Sequence, residues 1–114
     1  MRYSILLLIS LFQFSFAQNS LERLETSPRH HEWVKINSNT NEINSFLVYP
    51  EVSEKVPVVV LIHENRGLND WARSMTDQIA EMGYIAIAPD FLSGTAPNGG
   101  GTNDYQNSDD ARTG

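Results

Sequence analysis

Residues 57–90 have the sequence PVVVLIHENRGLNDWARSMTDQIAEMGYIAIAPD, and this stretch decides the fold. Its first run, 58–62, is continuously apolar, which is typical of a strand covered on both faces in a parallel sheet. Apolar residues then recur at helical spacing as far as Gly83, and a second apolar run follows at 84–88. A strand, a helix and a second strand in this order form a βαβ unit with a right-handed crossover. The sequence therefore predicts an α/β fold.

The helix predicted between the two runs has its own start and stop signals. Asn69 or Asp70 can cap its first turn by accepting backbone N–H groups, and Gly83 can take the left-handed conformation that ends it. The residues predicted to face the core are Trp71, Met75, Ile79 and Met82, and those predicted to face the other way are Asp70, Arg73, Asp77 and Glu81.

Two segments before the βαβ unit predict an antiparallel hairpin. Residues 33–36 and 43–49 carry β-branched and aromatic side chains in partial alternation, and the polar segment 37–41 separates them. Residues 18–32 are polar and have no sustained period, so they predict an extended lead-in. The tail, 93–114, is rich in glycine, proline and asparagine and then acidic; a loop of this length is usually functional or disordered.

The first 17 residues have the features of a secretory signal. A short, weakly basic start precedes the mostly apolar run 5–16, and Ser15 and Ala17 are small residues at the positions that a signal peptidase recognises. The sequence predicts cleavage after Ala17 and export to the periplasm or the extracellular space. A retained membrane anchor or an N-terminal core helix is the alternative, although spanning a bilayer needs roughly 20 apolar residues.

Composition narrows the classes of partner. The chain has 114 residues, of which 40% are hydrophobic and 19% charged, as in a soluble protein of at most one domain. Removing 1–17 leaves seven basic and 14 acidic residues and a net charge of −7, which argues against nucleic acid and anionic membrane surfaces as partners. The absence of cysteine excludes a disulfide framework, a thiol nucleophile and a thiolate metal site within these residues.

Polar residues follow both predicted parallel strands. Residues 63–66 (HENR) come after the first, and Asp90 and Ser93 come after the second. Ligands of open α/β sheets bind beyond the carboxyl ends of the strands, so these residues are expected to face one crevice. Glu64 is either a buried carboxylate that controls a nucleophile or polarises a substrate, or a structural carboxylate that accepts loop N–H groups. Its position alone favours neither reading.

Other motifs fail on spacing. His63 and Glu64 begin like the zinc-protease motif H-E-x-x-H, but glycine occupies position 67 and the segment leaves a strand. Residues 30–32 (HHE) are adjacent in an extended segment and point to opposite sides, and the glycine run 99–101 lacks the lysine of a phosphate-binding loop. The acidic residues of 104–110 are better explained as a solvated loop or the capped start of a helix than as calcium ligands.

Four segments together resemble the exported branch of the dienelactone hydrolase family. They are 27–34 (SPRHHEWV), 49–50 (YP), 57–69 (PVVVLIHENRGLN) and 83–94 (GYIAIAPDFLSG). The resemblance extends over about residues 27 to 112. The combination of the last two segments is fairly specific, because many α/β hydrolases share only one of them.

The resemblance implies an N-terminal half of an α/β-hydrolase fold that acts on a small-molecule ester or lactone through a Cys-His-Asp triad, without a cofactor. In the family, the carboxylate matching Glu64 contacts the nucleophilic thiol and helps to generate its thiolate. The backbone N–H of the residue matching Asn65 lies in the loop that supplies one donor of the oxyanion hole. Both residues are therefore expected at the catalytic site.

The sequence also departs from the family pattern. No Gly-x-Cys-x-Gly or Gly-x-Ser-x-Gly is present, and the triad residues of the family fall after Gly114, so the chain is expected to be an N-terminal fragment that is inactive alone. Dienelactone hydrolases proper carry an arginine for the substrate carboxylate near the position of Gly94. Arg66 is either a substitute for that charge in substrate binding or a solvated loop residue. The alternative from another class is a non-enzymatic exported α/β module that binds through 65–69 and 97–107.

Overall fold

The computed structural model describes residues 19–112. Its strands are β1 (His31–Asn37), β2 (Glu42–Val48), β3 (Val58–Val60) and β4 (Ile85–Pro89). Its helices are α1 (19–26), α2 (Asp70–Glu81) and α3 (Ser108–Ala111). Two 3₁₀ turns, Pro97–Gly99 and Thr102–Asp104, order part of the tail that the sequence predicted only as a loop.

The four strands form one mixed sheet in the order β1-β2-β4-β3. β1 and β2 are an antiparallel hairpin, β2 pairs antiparallel with β4, and β3 pairs parallel with β4. The predicted hairpin and βαβ unit are therefore both confirmed. The parallel register places Val59 beside Ala86, so the carboxyl ends of β3 and β4 lie on the same side of the sheet.

The strand β3 differs from its prediction in length and in burial. It ends at Val60, although the N–H of Leu61 still donates to the carbonyl of Ile87 at 2.8 Å. The prediction that this strand is covered on both faces is wrong for residues 19–112, because Val58, Val60 and Ile62 are 58%, 56% and 72% exposed. β3 lies at the edge of the sheet and has β4 as its sole strand neighbour within 19–112. Its other flank therefore pairs with no strand of these residues.

The helix α2 begins as predicted but presents a different face to the sheet. The Asn69 side chain accepts the N–H of Ala72 at 2.9 Å, and Gly83 follows the helix with a positive φ of 99°. The buried positions are Ala72, Ser74, Thr76, Asp77 and Ala80, whereas Trp71 and Met82 are exposed. The predicted core stripe was thus wrong at its two ends. Small side chains allow the helix backbone to approach the buried alanines of β4 closely.

The segment predicted as an extended lead-in is partly helical. Residues 19–26 form α1, and Leu24 belongs to the hydrophobic core. Leucine, glutamate and arginine are good helix formers, and the buried Leu24 supplies the packing that a short helix needs. The Arg23 guanidinium also contacts the Glu81 carboxylate at 2.6 Å, which ties α1 to α2.

Asp77, which the sequence placed on the outer face of α2, is fully buried. Its carboxylate accepts hydrogen bonds from Arg29 Nε at 3.0 Å, Arg29 Nη2 at 2.6 Å and Ser27 Oγ at 2.6 Å. His31 Nε2 lies 2.8 Å from the same carboxylate and donates to it. Burial alone raises the pKa of Asp77, but these hydrogen bonds outweigh burial and lower its pKa to about 2. The network fastens the segment before β1 to α2.

The predicted signal segment, 1–17, lies outside the described residues, so its cleavage stays a prediction. Across residues 19–112, no helix combines the length and the apolar character needed to cross a membrane.

Candidate functional site

A β-turn at the carboxyl end of β3 carries the residues that the sequence singled out. The Gly67 N–H donates to the Glu64 carbonyl at 3.0 Å, which closes the turn over 64–67 with Asn65 and Arg66 at its centre. Gly67 has a φ of +75°, a conformation that L side chains rarely adopt. The glycine of the HENRG segment is therefore required by the backbone of the turn.

The turn exposes backbone donors. In the described part of the chain, the N–H groups of Asn65 and Arg66 make no hydrogen bond, and both residues are exposed. Two neighbouring donors on a fixed turn can donate to an anionic oxygen without rearrangement. The turn at 64–67, which the sequence predicted as a site, therefore has a geometry that can stabilise negative charge.

Glu64 has a fixed backbone and an unpartnered side chain. Its carbonyl accepts from Gly67 N–H and from the His63 ring, whereas its carboxylate has no hydrogen bond or ion pair among residues 19–112. The buried setting considered from the sequence is not present, because the residue is exposed. The alternative of a structural carboxylate that accepts loop N–H groups is also not observed, since no loop N–H of these residues donates to it. The group is available to a ligand or to another part of the protein.

The His63 imidazole connects the ends of the two parallel strands. Nε2 accepts the backbone N–H of Phe91 at 3.0 Å, so Nε2 carries no proton, and the protonated Nδ1 donates to the Glu64 carbonyl at 2.7 Å. The side chain is only 6% exposed and lies 3.9 Å from the Asp90 carboxylate. The residues after β3 and after β4 therefore meet at His63, but they do not share one crevice, because Asp90 lines a different cavity from Glu64, Asn65 and Arg66.

Asp90 and Ser93 organise the loop after β4. The buried Asp90 carboxylate accepts hydrogen bonds from Leu92 N–H at 3.0 Å and from the backbone and side chain of Thr102. The Ser93 hydroxyl donates to the Asp90 carbonyl at 2.6 Å and accepts the Asn44 N–H of β2 at 3.0 Å. Ser93 thus joins the loop to the sheet, and the polar atoms of both side chains are engaged in bonds that hold the loop.

An open cleft of about 490 Å³ adjoins the turn. Its lining consists of Glu64, Asn65, Arg66, Asn69, Trp71 and Arg112. The exposed Trp71 ring offers an apolar surface, and the two guanidinium groups offer positive charge beside the one carboxylate. The structure therefore brings all three predicted site residues, Glu64, Asn65 and Arg66, to one cleft.

Sequence reasoning missed Thr102. Its hydroxyl accepts the N–H of Leu68, the residue after the turn, at 2.9 Å. Thr102 lies 34 residues along the chain from Leu68, in a glycine-rich segment without periodicity. The threonine that follows the three glycines was the available signal, but its spacing fits no motif that would assign it a role.

Alanine at position 67 is expected to destabilise the protein more than alanine at position 83. A Cβ atom on Gly67 would lie 2.2 Å from Thr102 Oγ1, whereas one on Gly83 would meet nothing within 4 Å. Both glycines have positive φ, so Gly83→Ala measures backbone strain alone, about 1 kcal/mol. Gly67→Ala should lose about 1–3 kcal/mol more because the loop must shift. Denaturant unfolding of both variants measures the difference, and equal losses would contradict the close packing.

A sequence profile of the dienelactone hydrolase family matches residues 43–113, more than half of the chain. YghX of Escherichia coli (strain K12), a candidate hydrolase fragment, is 49% identical over 53 residues, which are 46% of this chain and 45% of YghX. A candidate carboxymethylenebutenolidase of Synechocystis sp. (strain ATCC 27184 / PCC 6803 / Kazusa) is 36% identical over 64 residues, covering 56% of this chain and 26% of that protein.

The crystal structure of a candidate dienelactone hydrolase from Klebsiella pneumoniae subsp. pneumoniae MGH 78578 is similar in fold. It superposes with a TM-score of 0.56 at 24% identity, over 69% of this chain and 32% of that one. The chain therefore spans less than half the length of each of these three relatives.

Proposed function

The chain belongs to the dienelactone hydrolase family, and from this we propose that the complete protein hydrolyses ester or lactone bonds of small molecules. The observation that carries the proposal is the turn at 64–67, which places the Asn65 N–H and the Glu64 carboxylate, both without a partner in residues 19–112, in an open cleft. Ester hydrolysis needs such donors, because negative charge develops on the carbonyl oxygen in the transition state.

In the proposed reaction, a nucleophile attacks the carbonyl carbon and the carbonyl oxygen becomes negative. The Asn65 N–H donates to this oxygen, and the ester C–O bond breaks as the alcohol or enol leaves with the proton that the nucleophile lost. Water then cleaves the bond between the acyl group and the nucleophile and releases an acid. The nucleophile and the other triad residues are proposed to lie outside the 114 residues, which contain no cysteine and no Gly-x-Ser-x-Gly. The residues present supply one wall of the site.

Glu64 is proposed to contact the nucleophile. Its carboxylate has no partner within residues 19–112, while two hydrogen bonds fix its backbone. The charged group, one residue before the proposed oxyanion donor, is therefore available to contact the nucleophile. A carboxylate next to a nucleophile promotes its deprotonation. Arg66, on the same turn and in the same cleft, is proposed to bind an anionic group of the substrate.

Substitution of Glu64 by glutamine tests this assignment in the complete protein. Glutamine keeps the shape of the side chain but not its charge, so kcat/KM towards p-nitrophenyl esters should fall about 100-fold, the lower end of what a proton-transfer group contributes. Glu54→Gln, on an exposed loop, removes the same charge elsewhere and should leave the rate unchanged. Wild-type turnover by the Glu64→Gln variant would remove Glu64 from the mechanism.

A non-enzymatic binding module is the second candidate function, since one cavity joins the two loops expected for it. This cavity of about 270 Å³ is lined by Arg66 and Asn69 on one side and by Thr102, Asn103 and Tyr105 on the other. A complete protein that hydrolyses no ester or lactone but retains a small molecule would favour this function.

The setting of the activity is proposed from sequence. Residues 1–17 are proposed to direct export and then to be removed, which places the activity in the periplasm or outside the cell. The acidic net charge disfavours nucleic acid as a partner, and no cofactor is needed, because protein groups and water are sufficient for hydrolysis.

A further inference from the structure

Thr102 connects the glycine-rich loop to the turn that carries the oxyanion donor. Its backbone N–H donates to Asp90 Oδ2 at 2.9 Å, and its hydroxyl donates to Asp90 Oδ1 at 2.7 Å. The same hydroxyl accepts the N–H of Leu68 at 2.9 Å. One side chain thus joins the carboxylate after β4 to the residue that follows the turn after β3.

The direction of these bonds is determined by their chemistry. An ionised carboxylate can only accept, so the hydroxyl hydrogen of Thr102 points to Asp90 and its lone pairs remain for Leu68. Asp90 is itself buried and receives Leu92 N–H as well, which prevents the carboxylate from rotating. Thr102 is therefore held in the orientation that accepts from Leu68.

The turn has little freedom between its two attachments. At its start, the His63 ring donates to the Glu64 carbonyl at 2.7 Å. At its end, Leu68 is fully buried and bonded to Thr102, and Gly67 approaches Thr102 so closely that even a methyl group would overlap. The Asn65 N–H lies between these two attachments, so His63 on one side and Thr102 on the other determine its direction.

We propose that Thr102, oriented by Asp90, is a positioning residue that aims the Asn65 N–H at the substrate oxygen. This rests on the proposed hydrolytic function. The glycine-rich loop then belongs to the active site although Thr102 reaches the substrate only through the turn. A displacement of about 1 Å at such a donor can lower the rate on the order of 100-fold, so a hydrogen bond one residue beyond the turn affects catalysis.

The test compares Thr102→Val and Thr102→Ser in the complete enzyme. Valine removes the hydroxyl at constant shape, and we expect kcat to fall about tenfold or more with KM changed less than about twofold. Serine keeps the hydroxyl and should restore most of the rate. Thr95→Val, on the same loop, removes a hydroxyl that bonds Leu92 and Tyr105 instead and serves as the matched control with unchanged kcat.

A second readout does not depend on activity. The Leu68 amide should exchange with solvent about tenfold faster in Thr102→Val than in wild type or Thr102→Ser, because its acceptor is lost. Wild-type kcat in the valine variant, or an equal fall in both variants, would overturn the inference while leaving the hydrolase function intact. If the wild-type protein itself hydrolyses no ester, the proposed function fails, and an unchanged Leu68 exchange rate would then overturn the positioning of the turn as well.

Discussion

Replacing Asn65 by proline is expected to lower the kcat of the complete enzyme about 100- to 1,000-fold, the usual cost of losing one oxyanion donor. Proline has no N–H, so the substitution deletes the donor itself. The proposed role uses the backbone alone, which means that the identity of the side chain at this position matters little.

The turn should survive this substitution. Asn65 is the second residue of the turn closed by the bond from Gly67 N–H to the Glu64 carbonyl. Asn98 is the only non-glycine residue with positive φ in the described range, so both central residues of the turn have negative φ. Proline, with φ near −65°, is favoured at the second position of such turns. The Asn65 N–H makes no bond within residues 19–112 that proline would break.

Asn65→Ala is the matched control, since alanine retains the N–H and removes the amide side chain. Its kcat should stay within about threefold of wild type, far from the loss expected for a missing donor. Steady-state kinetics on both variants, with circular dichroism to verify folding, measures the contrast. If the proline variant kept the wild-type rate, or if alanine were as damaging as proline, the oxyanion role of the backbone would be refuted.

Replacing Arg29 by methionine is expected to lower the free energy of unfolding by about 3–5 kcal/mol, as when one partner of a buried ion pair is removed. The Asp77 carboxylate is fully buried, and Arg29 makes two of its hydrogen bonds while being only 12% exposed itself. Methionine retains the apolar length of the side chain, so the loss reflects the uncompensated carboxylate more than lost packing.

Arg23→Met provides the control for the same chemical change. The Arg23–Glu81 pair is as short, 2.6 Å, but its side chains are 40% and 53% exposed. Water screens such a pair, and its loss should cost less than about 1 kcal/mol. Urea unfolding at neutral pH compares the two variants. Similar losses for Arg29→Met and Arg23→Met would show that the buried network contributes no more than a surface pair.

The pH dependence of the Arg29→Met effect follows from the lowered pKa of Asp77. A carboxylate whose pKa falls from 3.8 to about 2 on folding adds stability above the unfolded value, and this stability disappears as the pH falls through about 2. The depression corresponds to roughly 2 kcal/mol at neutral pH. The deficit of the variant should therefore shrink as the pH is lowered from about 4 towards 2, and a deficit independent of pH would exclude Asp77 as its cause.

Local signals predicted most of the fold. The hairpin, the βαβ unit, the Asn69 cap and the Gly83 stop depend on neighbouring residues and backbone preferences, which a sequence states directly. The core face of α2 could not be predicted in this way, because hydrophobicity assigned Asp77 to solvent. Its partners are 46 to 50 residues earlier, and a buried carboxylate is stable only when such distant donors converge on it.

The site was predictable to the same extent. An apolar strand followed by HENRG located the turn, and the glycine at 67 is required there by its φ. The sequence could not show that the N–H groups of Asn65 and Arg66 make no bond within residues 19–112, because this depends on the hydrogen bonds that close the turn. Thr102 acts over 34 residues through one hydroxyl, and neither spacing nor composition encodes a contact of that kind.

Both ring nitrogens of the His63 imidazole make hydrogen bonds to the backbone. Nε2 accepts the Phe91 N–H and Nδ1 donates to the Glu64 carbonyl, so both hydrogen-bonding positions of the ring are occupied. A histidine beside a proposed hydrolytic site suggests a general base, but here its ring links the ends of two strands. We therefore expect a group other than His63 to act as the base in the proposed hydrolysis.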